Sequence, residues 1–225
     1  GADTARWFML SDSPPERDVI WTDEGVQGAW RFIQRVWRIA NEVASLPKGA
    51  PGASAGAAKA VRKAAHRAIA AVTEDIERLR FNRCVAQLYE LANAIQAGVN
   101  AATEAGDDSA EVIDALREAT SVLIQLLAPM MPHLAESCWE VLGQDGLVAT
   151  APWPVHDPAM LVEDEIVLPV QVNGKRRADI TVARDADRAT IEAAALGQDS
   201  VRRAIGDVAV KKIIIVPQRI VNVVI

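Results

Sequence analysis

The chain has 225 residues, of which 50% are apolar, and its formal net charge at pH 7 is −6. This length allows one large or two modest domains, and the apolar content is sufficient for a buried core. Cys84 and Cys138 stand far apart in apolar surroundings, which excludes a disulfide scaffold and argues against a zinc site. The sequence lacks an apolar run of about 20 residues and a signal-peptide pattern, so we expect a cytoplasmic protein that does not enter a membrane.

The first part of the chain has the apolar spacing of three and four residues that is typical of helices. In the first helix, this spacing predicts a buried face formed by Val26, Trp30, Ile33, Trp37, Ala40 and Ala44. Proline, glycine and serine over residues 47–56 predict a loop. Further helical patterns cover residues 61–79, 81–99, 109–127 and 132–142. Short connections between these helices predict an antiparallel bundle.

The last part of the chain changes to a period of two, which is typical of strands. Residues 151–165 contain three prolines and three consecutive acids and are predicted to be a linker. Asn173 and Gly174 then give a strong hairpin signal, and the return strand is predicted to place Arg176, Ala178, Ile180 and Val182 on one face. Helices over 187–196 and 200–205 and strands over 208–216 and 220–225 follow. The sequence therefore predicts a mainly α protein, with a bundle over 22–150 and a small α+β domain over 166–225.

Basic residues are concentrated in this last part. Residues 166–225 hold ten Lys and Arg against six Asp and Glu, a net charge of +4, which leaves −10 for residues 1–165. The candidate phosphate-binding cations of this part are Lys175, Arg176, Arg177, Arg202, Arg203, Lys211 and Lys212. A rigid hairpin that carries cations suits phosphate groups, but charges on an edge strand also prevent aggregation, so both interpretations stay open.

Two further basic stripes lie on predicted helices. In the first helix, Arg31, Arg35 and Arg38 lie on one side and are candidates for contact with a phosphate backbone. The stripe of the second helix could also follow a phosphate backbone, but a solvated face is the favoured interpretation; it contains Lys59, Arg62, Lys63, His66 and Arg67.

The remaining residues give no sign of catalysis. The sequence has no P-loop, no GxGxxG, no nucleophile elbow and no metal-spaced group of His and Cys, so no catalytic, cofactor-binding or metal-binding residue is predicted. The three histidines, His66, His133 and His156, are interpreted as structural or solvated. The six tryptophans have mostly core-like spacings and are interpreted as packing residues; they are Trp7, Trp21, Trp30, Trp37, Trp139 and Trp153.

Several segments resemble, in the same order, those of bacterial leucyl-tRNA synthetases, which are class I aminoacyl-tRNA synthetases. They are GADTARWFML, SPPERDVIW, RFIQRVWR, DIERLRFNRCVAQLYEL, LLAPMMPHLAESCWEVLG, APWP and VQVNGKRRADITV. The APMMPHLAE and WP elements also occur in the valyl, isoleucyl and methionyl enzymes. The tail from VEDEIVLPVQVNGK to KKIIIVPQRIVNVVI resembles the leucyl enzymes specifically, although the family often has one basic and one apolar residue where this chain has Arg176 and Arg177.

The resemblance implies that the chain is a C-terminal fragment that binds tRNA. Residues 1–21 are then a remnant of the stem-contact region after the catalytic core, 22–150 an anticodon-binding domain of class Ia type, and 166–225 the domain that reaches the tRNA elbow. The family does not read the anticodon, so the bundle is expected to lie along the tRNA core. Lys175, Arg176, Lys211 and Lys212 match positions that make them tRNA candidates.

The resemblance also implies what the parent enzyme does. It is expected to be a monomer that ligates leucine to its tRNA with ATP and magnesium. Its HIGH-type motif, KMSKS-type loop and editing domain are expected upstream, so this chain alone is predicted to be inactive. Two alternatives stay open: a helical scaffold domain whose partner is another protein, and the equivalent region of a valyl, isoleucyl or methionyl synthetase.

Overall fold

The computed structural model divides the chain into two compact units, Gly1–Leu161 and Val162–Ile225. The residues that it describes are 1–47, 55–105, 109–162, 165–206 and 208–225. In this described part, the first unit is helical and the second combines two helices with a small sheet. The prediction of a mainly α protein followed by a small α+β part is therefore confirmed at this level.

The first unit has six α-helices within its described residues. They are α1 (Ala2–Ser11), α2 (Asp23–Ser45), α3 (Ala55–Glu77), α4 (Phe81–Ala105), α5 (Ala110–Leu127) and α6 (Pro132–Val141). Two short 3₁₀ helices, Val148–Thr150 and Pro158–Leu161, follow them. Helix α3 packs against both α4 and α5, and α1 packs against α2 and α4, so the helices enclose one apolar core.

Local chemistry explains where two of these helices begin. Thr22 caps α2, because its side-chain oxygen accepts a hydrogen bond of 3.2 Å from the backbone N–H of Gly25. Asp23 and Glu24 add negative charge to the first turn, where the helix dipole favours it. Pro132 occupies the first turn of α6, where its missing N–H needs no intrahelical partner.

The buried face of α2 differs from the predicted one. Ala29, Phe32, Val36, Ile39 and Val43 are buried, together with Ala40, which both faces share. The observed face has the predicted spacing of three and four, displaced by one position toward the N-terminus. Both faces fit the helical period, so spacing alone could not choose between them.

The interpretation of the tryptophans as packing residues is confirmed for Trp7 and Trp139, whereas the other four are partly exposed, although Trp21 still packs edge-on against Phe8 with ring centroids 5.1 Å apart. Trp7 and Trp139 are buried, and Trp7 stacks on Phe32 with ring centroids 4.8 Å apart. Exposed fractions of 39% to 58% are found for Trp21, Trp30, Trp37 and Trp153. Helical spacing brings an aromatic residue to one side of a helix but does not decide whether another element covers that side.

The second unit contains four strands and two helices within its described residues. They are β1 (Glu165–Val172), β2 (Lys175–Ala183), α7 (Arg188–Leu196), α8 (Asp199–Ile205), β3 (Lys212–Val216) and β4 (Ile220–Val224). The strand order is β2-β1-β4-β3; β1 and β4 are parallel, and the other two pairs are antiparallel. The helices cover one face of the sheet, where Ile191, Ala195 and Val201 join the inward side chains of the strands.

The third strand is shorter than predicted. The sequence predicts a strand over 208–216, but β3 begins at Lys212, which pairs with Val224 of β4. Residues 208–210 therefore lie beyond the end of the ladder, although their apolar character suits a strand. A strand needs a partner as well as a pattern, and the sequence does not reveal the register of the partner.

The division between the two units falls within the predicted linker over 151–165. Trp153 of this segment donates a hydrogen bond of 2.8 Å from Nε1 to Oγ1 of Thr73, and the 3₁₀ helix Pro158–Leu161 packs against α3. The segment is thus held on the helical unit as far as Leu161. The predicted domain limits themselves stay a prediction.

Candidate nucleic-acid interface

The predicted hairpin is present and positions the first candidate cation. Asn173 and Gly174 join β1 to β2 and both have positive φ, 47° and 81°. A two-residue turn of this kind matches the twist of the two strands, and Asn-Gly is the pair that adopts it at least cost. The side chain of Asn173 also accepts a hydrogen bond of 3.1 Å from the backbone N–H of Ile225. Lys175 therefore begins β2 from a fixed turn.

A β-bulge follows the turn and changes the orientation of the next arginines. Val170 pairs with Ala178 and Gln171 with Arg176, which leaves Arg177 without a partner in the ladder. Such an extra residue disrupts the alternation of faces. Ala178, Ile180 and Val182 face the core as predicted, but Arg176 is exposed. The prediction that Arg176 shares their face is therefore wrong.

Arg176 is instead paired with Asp179. Its Nε and Nη2 donate to the two carboxylate oxygens of Asp179 at 3.1 and 2.6 Å. The side-chain hydrogen bond to Asp179, with the attraction between the two charges, raises the pKa of Arg176 above its ordinary value. Asp179 lies three positions after Arg176, and only the bulge allows a pair at this odd spacing in a strand. Arg176 therefore carries its own counter-ion.

Helix α8 brings a further arginine to the hairpin. Arg176, Arg177, Ser200, Arg203 and Ala204 line a surface cleft of about 470 Å³. Arg203 uses its Nε to donate a hydrogen bond of 3.3 Å to the carbonyl of Asp199. The structure thus brings three of the predicted cations together. We call this site the arginine cleft, defined by Arg176, Arg177, Ser200 and Arg203.

The remaining candidates of the second unit lie near the cleft or across the sheet. Arg202 donates from Nε to the carbonyl of Leu196 at 3.0 Å and is not among the cleft residues. Lys212 begins β3, at the opposite edge of the sheet from β2. Both strands begin at the same end, so Lys175, Lys211 and Lys212 lie along one end of the sheet. With strands about 4.8 Å apart, the two edges are about 14 Å apart.

The three arginines of α2 have three different surroundings. Arg31 is exposed and has no ion pair among the residues that the structure describes. Arg35 is half-buried and donates from Nη2 to the carbonyl of Ala92 on α4 at 3.3 Å, so it helps to hold two helices together. Arg38 lies 3.7 Å from Glu42, one turn along the same helix. Arg31 is thus the member of this stripe with the most accessible charge.

The basic stripe of α3 is only in part the solvated face that the sequence favours, because Lys59 and Arg67 are exposed but the other three members are not. Arg62 lies 3.0 Å from Glu118 and 3.8 Å from Glu111, so it pairs with α5. His66 accepts a hydrogen bond of 3.0 Å at Nδ1 from the backbone N–H of Asp157, and Lys63 is only 8% exposed. The contacts of Arg62 and His66 therefore join α3 to α5 and to the segment that contains Asp157.

Two features of the helical unit were missed from the sequence. A groove of about 700 Å³ lies beside the start of α1, and the exposed Trp30 and Trp37 form part of its wall. Asp3, which also lines the groove, accepts a hydrogen bond from the backbone N–H of Leu134, and its Oδ1 lies 2.9 Å from Nδ1 of His133. Both contacting residues belong to segments that resemble leucyl-tRNA synthetases, GADTARWFML and LLAPMMPHLAESCWEVLG. That resemblance does not reveal that the two segments touch each other.

Asp179 and Ser200 are the residues of the cationic region that sequence reasoning missed. The signal for Asp179 was its place two residues after the basic run, but regular alternation put it on the opposite face from Arg176. Ser200 carries no signal of its own, because only the packing of α8 against β1 and β2 brings it to the cleft.

The described residues bring cations together at the arginine cleft but show no evident catalytic arrangement. Burial raises the pKa of the Cys84 thiol to about 11 and that of the Cys138 thiol to about 12, so neither provides a thiolate at neutral pH. Across the described ranges, no group of three His, Cys, Asp or Glu side chains is placed to hold a metal ion. None of the helices in these ranges is long and apolar enough to cross a membrane.

A family model described as the anticodon-binding domain of tRNA ligase matches residues 58–193, more than half of the chain. The chain belongs to this family. The match begins after α2 and continues through the helical unit into α7 of the second unit. The arginines of α2 therefore precede the matched region. In the arginine cleft, Arg176 and Arg177 lie inside the matched region, and Ser200 and Arg203 lie after its end.

The chain is similar over its whole length to curated leucine–tRNA ligases. The enzyme of Rhodopseudomonas palustris (strain BisA53) is 60% identical and that of Brucella ovis 58% identical. The enzyme of Sinorhizobium fredii is 54% identical. In each case the alignment covers 100% of this chain, which spans 26% of the relative's length. The resemblance to leucyl-tRNA synthetases is therefore confirmed.

Two solved structures give the same result at the level of the fold. A ternary complex of Agrobacterium radiobacter K84 agnB2 LeuRS with tRNA and LeuAMS matches with a TM-score of 0.73 and 28% identity, covering 100% of this chain and 28% of that chain. The methionyl-tRNA synthetase of Mycobacterium tuberculosis in complex with methionyl-adenylate has a TM-score of 0.57 and 18% identity. The second match covers 64% of this chain and 32% of the other, and it shows the fold alone.

Proposed function

We propose that this chain is the tRNA-docking C-terminal part of a leucyl-tRNA synthetase. The observation that carries the proposal is the alignment of the complete chain with leucine–tRNA ligases at up to 60% identity. The same alignment spans 26% of the relative, so the larger part of that enzyme has no counterpart here. The chain then contributes tRNA binding, and the chemistry belongs to other domains of the parent protein.

The parent protein is proposed to ligate leucine to its tRNA with ATP and magnesium. It works in the cytoplasm as a monomer, and its catalytic and editing domains complete the enzyme. The helical unit is an antiparallel bundle of class Ia anticodon-binding type, and the small unit reaches the tRNA elbow. Because its described residues provide no candidate catalytic group, the isolated chain is inactive in aminoacylation.

The proposed docking mechanism is electrostatic positioning. Phosphate groups of a tRNA attract cations wherever their charge is not already neutralised within the protein. Lys175, Arg177, Lys211 and Lys212 have no ion pair among the described residues, and all four lie toward one end of the sheet. Contacts of this kind fix the orientation of the RNA without reading its sequence. The tRNA 3′ end is then presented to a catalytic site elsewhere in the parent.

The groove beside α1 supports the presence of further domains in the parent. Trp30 and Trp37 expose 48% and 42% of their surface there, which is unfavourable for large aromatic residues in water. The relatives are about four times as long as this chain, so they have the residues to cover such a groove. We propose that another domain of the parent packs on Trp30 and Trp37.

The proposal is tested by a fluorescence-anisotropy titration of labelled leucine tRNA with this chain at low and moderate salt. An unrelated tRNA without a long variable arm serves as competitor. We expect the affinity for labelled leucine tRNA to fall as the salt concentration rises. Unlabelled leucine tRNA should displace the labelled tRNA more effectively than the unrelated tRNA does. Absence of binding at low salt would contradict tRNA docking by this chain. Preference for valine, isoleucine or methionine tRNA would indicate a sibling synthetase.

A protein-binding scaffold is the second candidate, and the exposed tryptophans of the groove favour it. This function predicts a protein partner that remains bound after nuclease treatment. The two candidates separate because a scaffold retains its partner without RNA and gives no salt-dependent titration with tRNA.

A further inference from the structure

We propose that the arginine cleft binds a single backbone phosphate of the RNA, and that Asp179 limits the affinity of the cleft for it. This inference rests on the proposed function, since it assigns one subsite to the RNA. It adds two residues that the basic pattern does not contain: Ser200, as a hydroxyl ligand, and Asp179, as an internal competitor of the phosphate.

The bulge creates the cleft. In a regular hairpin, Arg176 and Arg177 would point to opposite faces of the sheet, and at most one of them would face any given ligand. Because Arg177 is the unpaired residue of the bulge, both arginines contribute to the same cleft. An inserted residue that redirects a side chain is a recurrent use of bulges at functional positions.

The cleft offers more hydrogen-bond donors than the protein uses. A guanidinium group has five N–H donors. Arg203 uses Nε for the carbonyl of Asp199, and no hydrogen bond from Arg177 is found within the described part of the chain. Ser200 adds a hydroxyl group beside them. A phosphate group has several acceptor oxygens and a negative charge, and it pairs well with the planar fork of an arginine.

Asp179 does not line the cleft but is the counter-ion of Arg176, which does. It receives two hydrogen bonds from Arg176, at 3.1 and 2.6 Å, which hold this arginine and neutralise its charge. A carboxylate next to a phosphate site repels the ligand and competes for the same donors. Removing the charge of Asp179 should therefore increase RNA binding. If the Arg176–Asp179 pair only held the hairpin in shape, its removal would instead leave RNA binding unchanged or weaken it.

The test uses two pairs of variants of the whole chain with matched charge changes. Asp179→Asn is compared with Asp185→Asn, which removes the same charge just after β2, at the opposite end of the sheet. Arg203→Gln is compared with Arg219→Gln, which lies between β3 and β4, also at that opposite end. Affinity for leucine tRNA is measured by anisotropy at several salt concentrations, and circular dichroism checks that each variant is folded.

We expect Asp179→Asn to tighten binding about two- to fivefold relative to Asp185→Asn, the range of a surface charge pair. Arg203→Gln should weaken binding by a similar factor relative to Arg219→Gln and lower the salt slope by about 1. Equal effects within each pair, with the wild type still binding RNA, would overturn the cleft and leave the proposed function standing. If the wild type does not bind RNA, the proposed function fails as well.

A second measurement separates RNA from free phosphate as the ligand. The Nε–Hε resonances of the arginines are followed by NMR while inorganic phosphate is added at constant ionic strength. Shifts at Arg177 and Arg203 but not at Arg219 are expected, because the cleft recognises the phosphate group itself. If phosphate binds there and RNA does not, the cleft is a site for a free anion, and the assignment to an RNA phosphate is overturned. Uniform small shifts at all arginines would overturn the site itself.

Discussion

Asp3 Oδ1 and His133 Nδ1 lie 2.9 Å apart, although 130 positions separate the two residues in the chain. The second oxygen of Asp3 accepts a hydrogen bond of 2.7 Å from the backbone N–H of Leu134, in the first turn of α6. Met131, which precedes α6, gives this helix no side-chain cap. Asp3 therefore caps α6 from a different helix, and Arg6 strengthens the contact through hydrogen bonds to the carbonyls of Pro129 and Met130.

The first prediction concerns this cap. Asp3→Ala leaves the N–H of Leu134 without its acceptor, and we expect the free energy of unfolding to fall by about 1–3 kcal/mol. Urea unfolding followed by circular dichroism measures the effect. Asp18→Ala removes an exposed carboxylate and serves as the control, with an expected change below about 0.5 kcal/mol. Equal losses in the two variants would show that Asp3 acts only through its charge and not as a cap.

The second prediction uses two glycines inside helices, which should respond to alanine in opposite directions. A Cβ at Gly98 of α4 would lie 2.9 Å from both Leu116 Cδ2 and Val61 Cγ2, whereas at Gly28 of α2 the nearest atom is Arg31 Nη2 at 3.9 Å. Gly28→Ala should raise the free energy of unfolding by up to about 1 kcal/mol, because alanine favours a helix. Gly98→Ala should lower it by about 1 kcal/mol, since overpacking outweighs this gain.

Thermal or urea unfolding of both glycine variants decides this prediction. Stabilisation by Gly98→Ala would mean that α4 moves away from α3 and α5 without loss of packing.

Much of the fold follows from local patterns in the sequence. The helices around residues 81–99 and 109–127 and the Asn173-Gly174 hairpin are present as predicted, because the helices have a strong apolar period and the hairpin has a turn pair of well-defined conformation. The failures have a different origin. Whether Val36 or Trp37 faces the core depends on which side α4 and α5 approach, and both sides of α2 have the same period. Tertiary packing decides such cases.

The candidate site shows the same limit more strongly. The sequence predicts that the end of the chain is basic, but it does not predict which cations meet. Arg176 and Arg203 are 27 positions apart and meet because α8 packs against β2, whereas Arg62 is drawn into contacts with α5. A basic residue is available for a ligand only when the fold has not already given it a partner, and charge patterns do not contain that information.

The third prediction concerns the thiols. Burial raises the pKa of Cys84 to about 11 and of Cys138 to about 12, so both are neutral in the folded protein at pH 8. Ellman's reagent should react slowly with the native chain and rapidly with both cysteines in denaturant, since the thiolate is the reactive form. One rapid equivalent under native conditions would contradict the burial of that cysteine.

The same shifts predict a dependence of stability on pH. In the unfolded chain the thiols ionise near their ordinary pKa of about 8.5, whereas in the folded chain they remain neutral to higher pH. The contribution of the buried thiols is thus complete below about pH 8.5 and is lost as pH rises toward 11 and 12. A variant with both cysteines replaced by alanine should lose less stability between pH 8 and 10 than the wild type. Parallel losses would contradict the assignment.

The last prediction compares two arginines of the helical unit whose charges have different uses. Arg31 is exposed and has no ion pair among the described residues, whereas Arg62 lies 3.0 Å from Glu118 and 3.8 Å from Glu111. Arg31→Gln should weaken binding of leucine tRNA and lower its salt slope by about 1, because one phosphate contact is lost. Arg62→Gln should leave the slope unchanged and lower the free energy of unfolding by about 0.2–1 kcal/mol, because it breaks a pair between α3 and α5.

Anisotropy titrations at four salt concentrations, with urea unfolding of the same samples, separate the two effects. Both variants remove one positive charge from the same unit, so a general effect of net charge would change both slopes equally. That result would contradict a specific role for Arg31. If only Arg62→Gln changed the salt slope, the RNA would contact α3 and not α2. The RNA would then displace Glu118 from Arg62.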